Sequence, residues 1–563
     1  MFDVTMDSSR IQRAPTVAEH LATLLWKLGV RNAFGVCGRE IVPVWHALLS
    51  TARTEREIAT YHGRHETGAG FAAVGSWLQT GRPVGVFTTT GPGLTNVVTA
   101  LETARVTGAK VILLSPLTPV AERGRLGIQE TGASGYWSAD LHLAGRLFDV
   151  VAHVESPKQL QALAGRLAAG LAGDDGFMAH IAIPTNVQAE RTFAAPKVPV
   201  VRRSRPAPAP EVADEVADLL AAEPFAVWVG WGARRHAQAI HRLLDITGAP
   251  AICSPRALGV VDRHASFLGV TGNGGSETLA EELAACGVQR MLVLGSRLAE
   301  ATSGWLPGLV PSGGFIHVDL DPGVFGQAYP DAPSYGVQSG VGELVDALLA
   351  RADKLVHRSG PERAPQADAE PLVAAPGTVH PVALMAAIQR VLVDGTDIPI
   401  IADASSAMFY AARYLRYPEP GRWFVEGHVG AMGAAGALVV GAAGGRGGPA
   451  AALCGDGSMH MQDEISTAVK YGLPAIWIVL NDGGLGIVRS GMGRNGWPLH
   501  DADYPAADFA AVAQDKGAEG VRVTAANALD AALSQALEAG RPFVVDVVID
   551  PSVVPPMGAR GKR

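Results

Sequence analysis

The chain is poor in cysteine, in charge and in long apolar runs. Four cysteines in 563 residues, Cys37, Cys253, Cys286 and Cys454, form no C-x-x-C pair and no zinc spacing. A disulfide scaffold and a zinc ribbon are therefore excluded, and the pattern suits inert core thiols in a reducing compartment. Charged residues make up 18%, against roughly 25% for an average globular chain, while apolar residues make up 48%. Large buried cores are expected and wholesale disorder is excluded. There is no basic excess: the formal charge of −8 lacks the face that nucleic-acid coating needs to displace counterions. Residues 1–14 carry Asp3, Asp7, Arg10 and Arg13 and lack the apolar run of a secretion signal. The longest uncharged stretch, Gly427 to Gly445, holds seven glycines in 19 residues, which reads as backbone packed inside a protein core rather than as a membrane span. The expectation is a soluble, cytoplasmic protein with neither nucleic acid nor membrane as partner.

What the chain has in excess is glycine (67) and proline (37), without the period of a fibrous repeat. Between them, short apolar runs alternate with helical patterns. Thr16 and Glu19 form a capping-box pair ahead of Val17, Leu21, Leu24, Leu25 and Leu28 at helical spacing. Strands follow at Ala33–Val36, Ile58–Tyr61, Val84–Thr88 and Lys110–Leu114, with helices between them. A second block places strands at Phe225–Val229, Ala249–Cys253, Met291–Leu294 and Phe315–Leu320. A third places them at Ile398–Ala402, Ala450–Cys454, Ile476–Leu480 and Phe543–Val548. Strand–helix alternation of this kind predicts parallel sheets covered on both faces. The fold class is α/β, with three doubly wound parallel-sheet domains at 1–190, 191–355 and 379–563. A Pro-rich linker spans 356–378, and a loose tail begins at Pro551.

The sharpest chemical signal lies in the third block. The strand Ala450–Cys454 runs into Gly455-Asp456-Gly457-Ser458, and one helix later the strand Ile476–Leu480 ends in Asn481-Asp482-Gly483-Gly484. In a parallel sheet both loops open at the carboxyl edge, where ligands of such folds bind. Asp456 and Asp482 then supply hard oxygen donors of the kind Mg²⁺ prefers, and Gly457 and Ser458 open a helix whose N–H groups suit a diphosphate.

This pattern resembles the diphosphate–metal motif of thiamin diphosphate (ThDP) enzymes, the acetolactate synthase and pyruvate decarboxylase superfamily. Motifs in the first block agree. Arg64-His65-Glu66-Thr67-Gly68-Ala69 resembles the segment with the family's glutamate, Thr90-Gly91-Pro92-Gly93-Leu94-Thr95-Asn96 its Gly-Pro-Gly turn, and Ile128-Gln129-Glu130 its Phe-Gln-Glu segment. Phe34-Gly35-Val36-Cys37-Gly38 and Ile316–Pro322 also match, so the resemblance runs from about Thr16 to Pro556. It implies the three-domain order (pyrimidine-binding, central Rossmann-like, diphosphate-binding) and ThDP with Mg²⁺ as cofactors. It implies a homodimer or homotetramer, since Glu66 and the metal motif sit on different domains of sites shared between subunits.

The resemblance also implies roles. Glu66 would hydrogen-bond the pyrimidine N1′ and so activate the cofactor, with Asn96 beside it. Gly430 would accept from the 4′-amino group, and Met432 would hold ThDP bent. Ala404, Ser405 and Ser406 match a second diphosphate loop, where acetolactate synthases have Gly-Gln-His. Asp456, Asp482 and Gly484 would hold the metal, with Asn481 as an alternative ligand. Gly457, Ser458, Leu485, Gly486 and Ile487 would line the cofactor, and Ile487 the substrate pocket. Gln129 matches a catalytic segment of the family; two departures from the family are His428, in place of a small residue, either a catalytic acid/base or a satisfied core histidine, and Arg39, either a carboxylate grip or a solvated surface residue. Asp482 stands where Asn is usual and adds a negative charge.

Gly230-Trp231-Gly232-Ala233 and Gly295-Ser296-Arg297-Leu298 raise FAD as a further cofactor, the less favoured option, because many relatives lack it. The implied function is decarboxylation of a 2-oxo acid, pyruvate first, and carboligation to a carbonyl acceptor. The alternatives are a decarboxylase or C–C lyase without ligation, and a noncatalytic relative used as a binding module. A nicotinamide dehydrogenase is disfavoured by the lack of a clean G-x-G-x-x-G.

Overall fold

The computed structural model describes residues 13–132, 139–174, 176–358, 372–461, 464–498 and 501–558. Most of the proline-rich linker and the end of the tail lie outside them. By packing, the chain divides into two compact units, 1–203 and 204–563.

The first unit holds one six-stranded sheet: β1 (Asn32–Gly35), β2 (Ala59–His62), β3 (Val84–Phe87), β4 (Lys110–Leu117), β5 (Val150–His153) and β6 (Phe177–Pro184), in the order β2-β1-β3-β4-β6-β5. The leading helix α1 (Val17–Lys27) starts as the sequence predicts. Glu19 N donates to Thr16 Oγ1 (3.2 Å) and Thr16 N donates to Glu19 Oε2 (2.6 Å), which satisfies two of the helix's orphan donors. Its apolar stripe, Val17, Leu21, Leu24 and Leu25, is fully buried. The long helix α2 (Glu66–Thr80) is rich in Gly and Ala because it is buried along most of its length.

The second unit holds two such sheets. One comprises β7 (Phe225–Val229), β8 (Ala251–Cys253), β9 (Phe267–Val270), β10 (Arg290–Leu294), β11 (Phe315–Asp319) and β12 (Ser334–Gln338), in the order β12-β11-β10-β7-β8-β9. The other comprises β13 (Ile400–Ala402), β14 (Trp423–Val425), β15 (Ala450–Gly455), β16 (Ala475–Asn481), β17 (Glu519–Val523) and β18 (Phe543–Val548), in the order β14-β13-β15-β16-β18-β17. Neighbouring strands pair in parallel in all three sheets. Their central strands are uninterrupted apolar runs, as sheets buried on both faces require. The α/β class with three parallel sheets is thus what the chain adopts.

Sequence periodicity missed β5, β6, β9, β12, β14 and β17. All six are edge or next-to-edge strands: β12 alternates in exposure, β17 is mostly half-buried and β14 has three residues, whereas β6 is a buried run of eight that was passed over. The two sheets of the second unit share one hydrophobic core. Trp423 Nε1 donates to Pro255 O (2.7 Å), and Tyr417 N donates to the buried Asp262 (2.7 Å), so the loops after β8 and before β14 are tied together. The Gly-rich stretch after β14 forms helix α3 (Ala434–Arg446), buried almost throughout and packed on β15. Among the described residues no helix is long and apolar enough to cross a membrane.

Candidate active site

Strand order reverses between β13 and β15, which splays the loops that follow them and opens a crevice at the carboxyl edge. The sequence-predicted residues of the second unit gather there. Asp456 begins a short helical turn directly after β15 and is almost wholly buried. Its Oδ1 accepts from Gly457 N (2.9 Å) and its Oδ2 from Gly484 N (3.1 Å), so the loops after β15 and β16 meet on one carboxylate. Asp482 lies beside it, with a side chain only 10% exposed. Burial, and then the neighbouring Asp456 charge, push the Asp482 carboxyl up to about 7, although Arg489 opposes the shift. Burial likewise raises Asp456. Two buried carboxylates held side by side make a strained anion pair that a divalent cation would relieve. With the Gly484 carbonyl, they form an oxygen donor set that fits Mg²⁺, through which a diphosphate would be held.

Glycine is required at Gly484 for lack of space. A Cβ there would run into Arg489 Nη2 and sit 2.5 Å from Ala502 O. At Gly457 a Cβ would lie 3.0 Å from Leu485 Cδ2 and 3.2 Å from both Met432 Cε and Tyr504 Oη, so these three side chains converge over the diphosphate-type turn. Ser405 caps the helix after β13 through Ala407 N (3.3 Å) and lies against Gly455, where a Cβ would be 3.1 Å from its own. Ala404, Ser405 and Ser406 are all half-buried beside the motif. Gly486 and Ile487 open the half-buried helix Gly486–Arg494 at its edge.

Several residues at this site escaped sequence reasoning. Asp403, fully buried, accepts from Gly433 N (2.7 Å) and Ala435 N (3.4 Å), and burial raises its carboxyl. Glu426, 2% exposed, accepts from Val429 N (3.1 Å), Gly430 N (2.8 Å) and Ala431 N (3.2 Å). Together these two acids shape the Gly430–Met432 loop from both ends, and Gly430 takes a φ of 73°. Arg489 pairs with Asp482 (3.4 Å) and Asp503 (2.6 Å), and so meets the extra charge that Asp482 brings. Tyr504 Oη donates to the Gly484 carbonyl (3.2 Å). A search for acids at strand carboxyl ends would have found Asp403 and Glu426; Arg489 and Tyr504 depend on a bridge between Gly484 and Asp503 that no local pattern encodes.

Asn481 is corrected as a ligand candidate. Its amide donates to Ala507 O (3.0 Å) and Asp546 Oδ1 (2.9 Å), both inward from the crevice, because side chains alternate along β16. His428 is exposed on this chain. Crowding of its ring, then the Arg297 and Arg256 charges, hold its imidazole below the ordinary value, so it is neutral at pH 7.

In the first unit Glu66 opens α2 behind the N-cap His65 and is 8% exposed. Asn96 Nδ2 donates to Glu66 Oε2 (3.1 Å), and Thr67 Oγ1 donates to Asn96 O, so the glutamate and the Gly-Pro-Gly turn are locked together. Gln129, exposed and at a positive φ of 56°, packs on Gly91, and Thr90 Oγ1 donates to its Oε1 (3.4 Å). Arg39 is 94% exposed and pairs only with its neighbour Glu40 (3.1 Å) among the described residues, the behaviour of a solvated surface residue.

The two turns that raised a flavin pack on each other. At the switch point between β7 and β10, Gly232 N donates to Gly295 O (2.9 Å), and a Cβ on Gly230 would collide with that same oxygen. Trp231, with Arg234 stacked at 4.2 Å and Arg256 at 4.8 Å, occupies the adjoining space.

Fold and site together bring carboxylates and glycine turns to one sheet edge, and comparison with known proteins gives the family. The N-terminal TPP binding domain of thiamine pyrophosphate enzymes matches residues 15–135, the central domain 213–348 and the C-terminal TPP binding domain 403–547. The chain belongs to the thiamine pyrophosphate (ThDP) enzyme family. It is 30% identical to a Mycobacterium tuberculosis protein provisionally named acetolactate synthase large subunit IlvB2, over 96% of this chain and 99% of that one. It is 27% identical to the acetolactate synthase large subunit of Corynebacterium glutamicum, over 95% and 87% of the two chains. It is equally 27% identical to a Bacillus subtilis protein provisionally named thiamine pyrophosphate-containing protein YdaP, over 95% and 92%.

Proposed function

We propose that this chain, with domains at 1–190, 191–355 and 379–563, is a ThDP- and Mg²⁺-dependent enzyme of the cytoplasm. It decarboxylates a small 2-oxo acid, pyruvate first, and ligates the acyl unit to a carbonyl acceptor. The observation that supports this most is the meeting of Asp456, Gly484 and Asp482 beneath Met432 and Leu485. Bound ThDP supplies a thiazolium that accepts the electron pair released as CO₂ leaves.

The chain's own residues do the rest. Asp456, Asp482 and the Gly484 carbonyl hold the metal, while Gly457, Ser458 and the Ala404–Ser406 loop bind the diphosphate. Met432, on a loop fixed through Asp403 and Glu426, would orient the cofactor's two rings, and the Gly430 carbonyl would accept from its amino group. Glu66, held by Asn96, keeps a hydrogen bond at the pyrimidine N1′ and so moves the proton balance of that ring. Gln129 and Ile487 face the reacting side. The site is shared between protomers of a homodimer or homotetramer, with Glu66 given by one and the metal by the other. FAD has no part in this scheme.

The test is product analysis by mass spectrometry after incubation with ThDP, Mg²⁺ and pyruvate, with and without added carbonyl acceptors. Acetolactate or another ligated product is expected. Free aldehyde alone would point to a decarboxylase, and no CO₂ from any 2-oxo acid would contradict the proposal.

A further inference from the structure

Residues 501–509 run as a strap across the loop that follows β16, and they bond its backbone in order. Tyr504 N donates to Gly483 O (3.2 Å), Leu485 N donates to Ala502 O (2.7 Å), and Tyr504 Oη donates to Gly484 O (3.2 Å). The remaining backbone group of these two peptides, Gly484 N, donates to Asp456 Oδ2 (3.1 Å). The 484–485 peptide unit is thus gripped at both ends by one strap, its N–H by Ala502 and its carbonyl by Tyr504. Gly483 takes a φ of 67° and a second glycine follows it, so this is where a peptide plane would otherwise turn over most easily.

The strap is itself anchored. Asn481, whose side chain turns away from the crevice, donates to Ala507 O (3.0 Å) and to Asp546 Oδ1 (2.9 Å). Asp546, fully buried on β18, also accepts from Phe509 N (3.1 Å) and Arg522 Nη1 (2.9 Å). Nearer the crevice, Arg489 Nη2 donates to Asp503 Oδ1 (2.6 Å). The Tyr504 ring is held edge-on by His460, with centroids 5.4 Å apart at 87°, and His460 ends the helical turn that Asp456 begins. The phenol also hydrogen-bonds with the Asp456 carboxylate, and a Cβ on Gly457 would lie 3.2 Å from Oη. One hydroxyl therefore stands against two of the three groups that would hold the metal.

We propose that Tyr504 is a positioning residue of the metal site: carried by the 501–509 strap, it fixes the direction of the Gly484 carbonyl and so sets the affinity and selectivity for the divalent ion. This rests on the proposed function for the presence of the metal. A carbonyl oxygen has two lone pairs, so the phenol proton occupies one and leaves the other for the ion. Mg²⁺ demands near-ideal octahedral geometry, whereas the larger Ca²⁺ accepts a flexible one. Loss of the hydroxyl, which frees the peptide plane, should therefore fall on Mg²⁺ first. Asn481, beside the metal loop in sequence, acts on it only by tying down the strap.

The experiment titrates Mg²⁺ and, separately, Ca²⁺ calorimetrically into the full-length protein at saturating ThDP. The wild type is compared with Tyr504→Phe and Asn481→Ala, and melting curves show which variant keeps the wild-type fold better. Partners of this kind are worth roughly 10–100-fold in metal affinity, so Tyr504→Phe is expected to weaken Mg²⁺ at least about tenfold and Ca²⁺ by less than about threefold. Asn481→Ala should shift the two ions in the same unequal way. Equal weakening of both ions, or wild-type Mg²⁺ affinity, in the variant that melts closer to wild type would overturn the positioning role. A wild type that binds neither ion with ThDP would overturn the metal reading of the site, and the role of Tyr504 with it. Tyr504-dependent Mg²⁺ binding in a protein that releases no CO₂ from any 2-oxo acid would uphold the role and refute the proposed reaction alone.

Discussion

Replacing Glu426 by Gln isolates the Gly430–Met432 loop, which is proposed to shape the cofactor. The carboxylate accepts from three consecutive backbone N–H groups, two on Oε2 and one on Oε1, in a site that is 2% exposed. Gln keeps a single acceptor oxygen. If that oxygen retains Gly430 N and Ala431 N, the new NH₂ faces Val429 N–H, donor against donor. A charge-assisted hydrogen bond is worth about 1.5–3 kcal/mol, and a buried donor left unpaired costs on the order of 1–3 kcal/mol. Taking about 2–3 kcal/mol as the penalty on the ordered loop, ThDP should bind roughly 30- to 150-fold more weakly at saturating Mg²⁺. Circular-dichroism or calorimetric titration reads this directly, and the melting temperature controls for global damage. ThDP affinity within twofold of wild type, in a variant that melts normally, would refute the claim that Glu426 sets this loop.

Two further outcomes are expected. Gly484→Ala should leave far-UV dichroism unchanged yet weaken Mg²⁺–ThDP binding at least tenfold, because its Cβ has to displace Arg489 or the Ala502 carbonyl; calorimetry showing wild-type affinity would contradict the packing at Gly484. The first unit should be acid-labile. Burial, then the charges of His153 and Arg123, hold His142 at about 4, and burial, then the His142 charge, holds His180 at about 3, well below the usual imidazole value near 6.5. The unfolded chain therefore takes up protons that the fold resists, and stability declines as pH falls below 6.5. The decline is about 2–4 kcal/mol by pH 5 for the pair. Melting curves from pH 7 to 5 check this. His142→Phe, which removes a ring whose two buried nitrogens have no hydrogen-bond partner among the described residues, should flatten the slope, and an unchanged slope would refute it.

Much of the fold was legible because central parallel strands are continuous apolar runs and turn glycines separate them. Edge strands such as β12 and β17 were not, since one face or one side is polar. At the site, Asp456, Asp482 and Glu66 were readable from motif and strand position. Asn481 misled because register along β16, rather than residue type, decides which of two adjacent polar side chains faces the crevice. Glu426 was overlooked although its place at the carboxyl end of β14 marks it, because accepting from the backbone of residues 429–431 carries no sequence motif.

The most direct measurement is hydrogen–deuterium exchange at C2 of protein-bound ThDP, followed by NMR after acid quench, in the wild type and in Glu66→Gln. A positioned acid–base group contributes roughly 10²–10⁴ in rate. Exchange in the wild type is expected to exceed that of Glu66→Gln by at least about a hundredfold, with ThDP still bound to both. Equal exchange rates in the two proteins, or no ThDP bound to the wild type at saturating Mg²⁺, would contradict the account.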